Sequence, residues 1–461
     1  MAENKKTSGT AAGQYIDLFV ENRAAIDGHS AGALNALRDD ALAALRDTRL
    51  PRKGDEDYEA TDLETFFAPD YGINVNRLNV GGGLAEAFRC EVPNLSTSLF
   101  FLLNDAFQAG AHSAETLPDG VIVKSLRAAA EENADLVARY YGKLASLSCA
   151  STALNTLLSQ DGVFVYIPKS TRVEKPIQIV NILNGGMPLM ANRRMLIVVE
   201  DGAEVRILSC DHTQNAAVDF LNSQVVEVFV GRNAVFDYYD IEDSTASTRR
   251  VSSFYLRQES GSNVMVDGIT LMNGATRNNF VVDLAGDHTE LRLLGMAIAD
   301  GDRLVGNHAV VTHSAHGGHT DELFKYVVDD RAVGAFSGLI KVCPGAEKTE
   351  AYQSNKNICA SPTAKMYSKP QLLIDCDDVK CSHGSSTGQL DGNALFYMRS
   401  RGIPESEARL MLMQAFMHDV IDGVRLESLK ERLRRLVEAR MCGDRPSCRE
   451  CAVACRNQKI K

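Results

Sequence analysis

From about Gly162 onward the chain breaks into short runs of alternating polarity, among them GVFVYIP, PIQIVNI, MLIVVE, AEVRILSC, SQVVEVFV, NAVFDYYDI, VSSFYLRQ, NVMVDGITLM, NNFVVDLAG and TELRLLGMAIA. Each is rich in β-branched or aromatic residues and is bounded by Gly, Asn, Asp or Ser, the pattern of strands ended by turns. Roughly twenty such runs fill about 220 residues, and no helical interval among them is long enough for a crossover between parallel strands. A doubly wound α/β fold is excluded, and an all-β domain is expected.

Several runs share a lead-in. GAEVRI, GRNAVF, GSNVMV and GDHTEL begin at Gly202, Gly231, Gly261 and Gly286, at intervals of 29, 30 and 25 residues. A unit of this length, made of short strands and glycine corners, suits a solenoid whose coils stack over a continuous apolar interior. A β-helix is therefore expected in preference to a sandwich. An aromatic content of 7% and the absence of Trp suit a narrow interior filled by Val, Ile and Leu.

Both flanks change period. Residues 1 to about 155 read as helical, with amphipathic stretches in ALNALRDDALAALRD (33–47) and SLRAAAEENADLVARYYGKLASL (125–147). The polar connector LPRKGDEDYEATDL (50–63) reads as a solvated loop. After Gly392, three helices are expected in ALFYMRS, PESEARLMLMQAFMHDVIDGV and LESLKERLRRLVEARM, with Pro404 at a first helical position and Glu405 and Glu407 where the helix dipole favours negative charge. The second helix carries Leu410, Met411, Met413, Phe416, Met417 and Val420, a stripe for packing against its neighbours or for facing a partner. With 461 residues, two or three domains are expected.

A net charge of −11 argues against nucleic acid as the main partner. The first residues, MAENKKTSGTAAGQY, lack the apolar run of a signal peptide, and no later segment approaches the ~18 apolar residues of a membrane span. A cytoplasmic protein is expected, with its eleven cysteines reduced and available for metal or sulfur chemistry.

Three segments could carry that chemistry. In DDVKCSHGSSTG, Cys381 and His383 end a strand-like run, and alternation puts Asp377, Val379, Cys381 and His383 on one face, opposite Cys376, Asp378, Lys380 and Ser382. A thiolate and an imidazole two residues apart can reach one Fe or Zn ion, although two ligands need others from elsewhere. A thiol nucleophile would need an oriented base that nothing here supplies, and plain burial of Cys381 beside Val379 is the simplest alternative. In GNHAVVTHSAHGGHT, His308, His313, His316 and His319 could ligate metal or line a strand corner. In the tail, Cys442, Cys448, Cys451 and Cys455 resemble an Fe-S or Zn ligand set, with reactive thiols on a basic tail as the alternative. A P-loop, a Rossmann fingerprint and a glycosidase acid pair cannot be picked out, and GGGLAEA (81–87) lacks the lysine of a P-loop.

Residues 351–412, from AYQSNKNICASPTAKMYSKP through LLIDCDDVKCSHGSSTGQLD to LFYMRSRGIPESEARLML, resemble the core of the SufB/SufD family of iron-sulfur cluster assembly proteins, in the form found in SufD. The likeness extends through GAFSGLIKVCPGAEKTEAYQ, the His-rich segment and GVFVYIPKSTRVEKPIQIVNI, and faintly to the 50–63 connector. It implies a mainly β chain: a right-handed parallel β-helix over 161–390, between an N-terminal helical domain (1–160) and a C-terminal one (391–441) that holds the ABC-type ATPase SufC, with a cysteine-rich tail at 442–461. It further implies a scaffold subunit that is no enzyme itself, with pairing to a SufB-like paralogue and a transient iron or Fe-S cluster at the joint near His383 and Cys381. The resemblance also implies that Leu395, Phe396, Tyr397, Arg399, Arg401 and Gly402 contribute to partner binding. A homodimeric scaffold and a polysaccharide-acting β-helix enzyme are the alternatives, the second weakened by the lack of Trp platforms. The four-cysteine tail departs from the family.

Overall fold

In a computed structural model, which describes residues 9–78, 97–109 and 117–442, the strand-rich stretch is a parallel β-solenoid. Three short strands, β1 (Ser98–Leu103), β2 (Ala106–Ala109) and β3 (Ile122–Ser125), precede it, and its own strands run from β4 (Val163–Ile167) to β19 (Lys380–Gly388). Successive strands alternate between two sheets, and each pairs in parallel with the strand two later. Among the described residues one sheet has nine strands and the other ten. The register Glu204↔Val235↔Asn263↔Glu290↔His319↔Glu350↔Lys380 sets coils of 27 to 31 residues.

What repeats is a conformation. Ser170, Gly202, Asn233, Gly261, His288, Gly317 and Lys348 all have positive φ, one at the same corner of each coil. There Gly202 N–H donates to Arg232 O at 2.8 Å and Gly261 N–H to Asp287 O at 2.8 Å, so each corner is tied to the next coil. Gly202 and Gly261 occupy this left-handed position, which glycine adopts without steric cost. Gly231 and Gly286 lie two residues earlier and answer a different need: a Cβ at Gly286 would come within 2.0 Å of Ser260 N. The lead-in glycines therefore mark two different sites, which is why their intervals differ from the coil lengths.

The interior is not filled by Val, Ile and Leu alone. An aromatic file runs along the axis through Tyr238, Phe254, Phe280, Phe324 and Phe336, with ring centroids 5.1, 6.2, 6.1 and 4.9 Å apart. Gly268 and Gly295 make room for it, since Cβ atoms there would lie 2.9 Å from Phe280 and 2.2 Å from Phe324. Such ring pairs add about 0.5–1.5 kcal/mol each beyond area burial. Further toward the N-terminal end, Arg250 lies buried between Asp211, at 3.0 Å, and Asp240. These interior charges are tolerated because they are paired.

The N-terminal region is less helical than its sequence suggests. Helices α1 (Ala11–Gly28), α2 (Gly32–Asn35), α3 (Arg38–Asp47), α4 (Leu63–Phe67), α5 (Leu126–Glu132), α6 (Ala134–Tyr140) and α7 (Ala150–Leu158) are joined by β1–β3. The apolar run SLFFLL of β1 adds in parallel to β5 (Ile177–Leu183), while β3 adds antiparallel to β4, so both sheets continue past the first coil. Burial on both faces leaves β1 without the alternation that betrays a strand.

The 50–63 connector is no solvated loop. It lies across the outer face of the nine-stranded sheet, where Arg277 donates to Asp57 O at 2.7 Å and sits 4.1 Å over the Tyr58 ring. Lys369, on the last strand of that sheet, reaches Asp57 at 3.3 Å, Glu56 at 3.8 Å and Glu59 at 3.9 Å. Its charges are matched by the sheet, and Leu50, Thr61 and Leu63 are fully buried.

At the other end of the sequence, α9 (Glu405–Gly423) and α10 (Glu427–Met441) lie against the ten-stranded sheet, and α8 (Gly392–Ser400) packs on α9. Met417, Val420 and Ile421 of α9 are buried in a cluster with Leu294 and Met296. Arg425 pairs with Asp237 at 2.8 Å, Arg440 with Asp300 at 2.7 Å, and the buried Lys325 with Asp419. Pro404 stands one place earlier than expected, as an N-cap with ψ 147° and no side-chain bond.

Candidate functional site at the open end of the solenoid

The two ends of the solenoid differ. The N-terminal end finishes in the short antiparallel additions β2 and β3, whereas the other end stops on full parallel coil strands, β18 (Lys365–Ile374) and β19, each with one unpaired edge among the described residues. Such edges carry free N–H and C=O groups and are templates for another chain. Apolar side chains collect there: Tyr352, Tyr367, Leu373 and Ile374 are 38 to 46% exposed. Ile374 pairs in register with the fully buried Val342, and among the described residues no further strand covers it.

β19 continues the inward-facing ranks of the coil beneath it. Cys381, His383, Ser385 and Thr387 stand over Ala351, Gln353, Asn355 and Asn357 of β17 (Glu350–Cys359). Cys381 is half-buried and packs on the apolar interior with Val379 and Cys376, and that burial pushes its thiol above the ordinary range. His383 is exposed. Simple alternation from Cys376 onward fails because a corner at 375–379 precedes β19, which lets Cys376 and Val379 both turn inward. Beyond His383 the rank is a hydroxyl–amide network: Ser368 Oγ lies 2.6 Å from Ser385 Oγ and donates to Asn355 Oδ1 at 2.7 Å, and Asn357 donates to Thr387 at 3.0 Å.

Chemically, this end offers an accessible imidazole with a thiol two residues away, held on a rigid strand and ringed by apolar surface. Among the described residues no three His, Cys, Asp or Glu side chains are grouped to hold a metal ion. A ligand set here would need donors from a second chain.

The histidine-rich segment does not converge. His313 is fully buried at a corner with its Nε2 3.0 Å from Thr320 Oγ1, and burial pushes it down to about 4. His308 faces the 50–63 strap, where burial and Arg277 push it down to about 4. The His316 ring lies 5.5 Å from that of His288, and the His319 ring 6.0 Å from Tyr352. Cys442 is exposed at the end of α10, while Cys448, Cys451 and Cys455 lie outside the described residues.

Of the C-terminal motif, α8 buries none of its residues: Phe396 and Tyr397 are 72% and 58% exposed and Leu395 is half-buried. Arg399 pairs with Glu405 at 3.2 Å, and Arg401 folds back so that its guanidinium lies 5.2 Å from the Tyr397 ring. Gly402 has a conformational role. With φ 87° it ends α8, and Ile403 N–H then reaches back to Met398 O at 3.2 Å, as a left-handed helix cap requires.

Sequence reasoning missed Glu322, Gln353 and Asp57. The first two are ordinary polar residues within strand runs, and only the coil register brings them into line with His383.

Comparison with known proteins agrees with this architecture. Residues 9–179 match the SufBD protein N-terminal region, and residues 181–416 match the SufBD core domain of SUF system FeS cluster assembly. The chain is 28% identical over 429 residues to an iron-sulfur cluster assembly SufBD family protein of Synechocystis, covering 91% of this chain and 94% of that one. It is 29% identical to the iron-sulfur cluster assembly protein SufD of Bacillus subtilis, with 72% and 78% covered, and 26% identical to SufD of Escherichia coli, with 63% and 69% covered. With both family regions matched in their expected order along one solenoid, the chain belongs to the SufBD family of iron-sulfur cluster assembly proteins.

Proposed function

We propose that the chain is a non-catalytic scaffold subunit of a SUF complex, and that its open coil is the seat of a SufB-like paralogue. Iron or a nascent cluster is the cargo at that joint, bound by His383 and, once the partner's donors shift its thiol toward thiolate, by Cys381. The observation that carries this reading is the exposure of His383 on the last strand, whose outer edge is unpaired among the described residues, beside a half-buried thiol of the same inward rank. The protruding Phe396 and Tyr397 of α8 supply a second surface, suited to the SufC-type ATPase. The seven described cysteines are all free, which supports a reducing, cytoplasmic setting. No described helix is long and apolar enough to cross a membrane. A role for the four tail cysteines in Fe-S or Zn binding is a separate proposal, tested by comparing iron and zinc content with and without residues 442–461.

Co-expression with SufB and SufC tests the main reading. A stable complex is expected, and His383→Ala should assemble normally yet retain on the order of a hundredfold less iron after anaerobic purification, since loss of a ligand should cost at least as much as the loss of an outer-shell partner. Failure to form the complex, or undiminished iron in the variant, would overturn it. A homodimer of this chain could use the same free edges, and recovery of a symmetric pair without SufB would favour it.

A further inference from the structure

The interior stays polar deeper than an open end requires. Water reaches the last rank, and His383, Ser385 and Thr387 meet that need. Two coils down, however, Glu322 on β15 (His319–Val328) is fully buried, on the same inward line as Gln353 and His383. Gln353 is itself 2% exposed, and its Nε2 donates to Glu322 Oε2 at 3.1 Å. Opposite, the bare backbone of Gly338 makes room for the amide, since a Cβ there would lie 2.4 Å from Gln353 Nε2. Two oxygens in this line are buried without a hydrogen-bond partner among the described residues, Glu322 Oε1 and Gln353 Oε1.

An unmatched buried carbonyl oxygen carries a desolvation penalty, so its persistence calls for a donor supplied at some stage. The residue one rung above Gln353 is His383, whose ring carries a donor N–H in its neutral form. Burial pushes Glu322 up to about 8, so near neutral pH it anchors the amide largely without placing a charge in the core. A histidine that binds metal through one nitrogen almost always gives its other N–H to a fixed acceptor, which sets the tautomer and the ring orientation.

We propose that Gln353, tethered by Glu322, is a positioning residue for His383: when a partner closes the open coil, Gln353 Oε1 accepts the N–H of one ring nitrogen and leaves the other nitrogen's lone pair directed at the metal cargo. This rests on the reading of His383 given above. It adds that half of the site's geometry is set inside the solenoid, by residues that never touch the metal.

The test is anaerobic ferrous-iron titration of the full complex, with unfolding midpoints measured alongside. Gln353→Leu, which removes the acceptor, should weaken iron binding by about 10–100-fold. Gln353→Glu keeps an acceptor oxygen in place, and the proton held by Glu322 bridges the two carboxyls where the Nε2–H was lost, so it should bind nearly as wild type. Unchanged affinity in Gln353→Leu overturns the proposal, and so does equal weakening in both variants, which would mean a packing role. Should Gln353→Leu fail to assemble, Glu322→Leu leaves the amide present but untethered and must also weaken iron binding. If His383→Ala costs no iron, the site itself falls and this role with it; if His383→Ala costs iron and Gln353→Leu does not, only this role falls.

Discussion

At the scale of single residues, buried acids give the protein a measurable pH signature. Glu322 is held near 8 in the folded chain against an ordinary value of 4.5, with burial as the leading cause. The folded state thus keeps a proton that the unfolded state releases between those values. This stability is fully present below about 4.5 and is lost as pH rises through about 8, with a slope of at most about 1.4 kcal/mol per pH unit. Asp267, pushed up to about 8, and Glu242, pushed up to about 7, act in the same direction. Denaturant unfolding at pH 5, 6.5 and 8 should show the wild type losing stability toward pH 8, and Glu322→Gln should lose less. Equal losses in the two proteins would place the titration elsewhere. Cys381 and His383 could be singled out as candidates from the sequence because their chemistry stands out in any context. Glu322 and Gln353 could not, since they are separated from each other by 31 residues and from His383 by up to 61, and only the coil register aligns them.

At the scale of elements, strands were legible wherever one face is apolar and the corner is marked by Gly, Asn or Asp, which covers β6 (Leu189–Val199) through β17 well. Elements whose environment comes from elsewhere were not. β1 is sandwiched and has no alternation, and the 50–63 strap is polar because the sheet beneath it supplies Arg277 and Lys369. Helix α8 is the reverse case: its sequence shows apolar residues, and the structure leaves them uncovered. Hot spots are enriched in aromatic side chains and each costs about 2 kcal/mol or more when truncated. Replacing Phe396 and Tyr397 together by Ala should therefore weaken association with the SufC-type ATPase by about two orders of magnitude or more, while the unfolding midpoint hardly moves. Pull-down with the purified ATPase reads the first effect and a thermal melt the second. Unimpaired capture would assign α8 to some other contact.

At the scale of the whole molecule, the solenoid has a direction. Its first coil is extended by β1–β3, while its last coil exposes, among the described residues, the edges of two full coil strands, an apolar rim and a polar interior. The strap at 50–63 links these ends, because its acidic residues reach Lys369 on β18 from a segment that leads directly into the N-terminal helical cluster. A solenoid gains stability chiefly between neighbouring coils, so an uncovered terminal coil is its weakest part and gains most from a partner. That asymmetry yields a test independent of any metal. Ile374 is already 40% exposed, so Ile374→Lys should change the stability of the isolated chain by no more than about 0.5 kcal/mol, as ordinary surface substitutions do. In a joined complex the same lysine would be buried at an apolar contact with no partner charge, which costs several kcal/mol. Size-exclusion chromatography with light scattering on the co-expressed pair should then show separated subunits for the variant and a joined complex for the wild type. A variant that still joins would move the contact away from the open coil, and the imidazole of His383 would lose its reason to stand uncovered on the last coil.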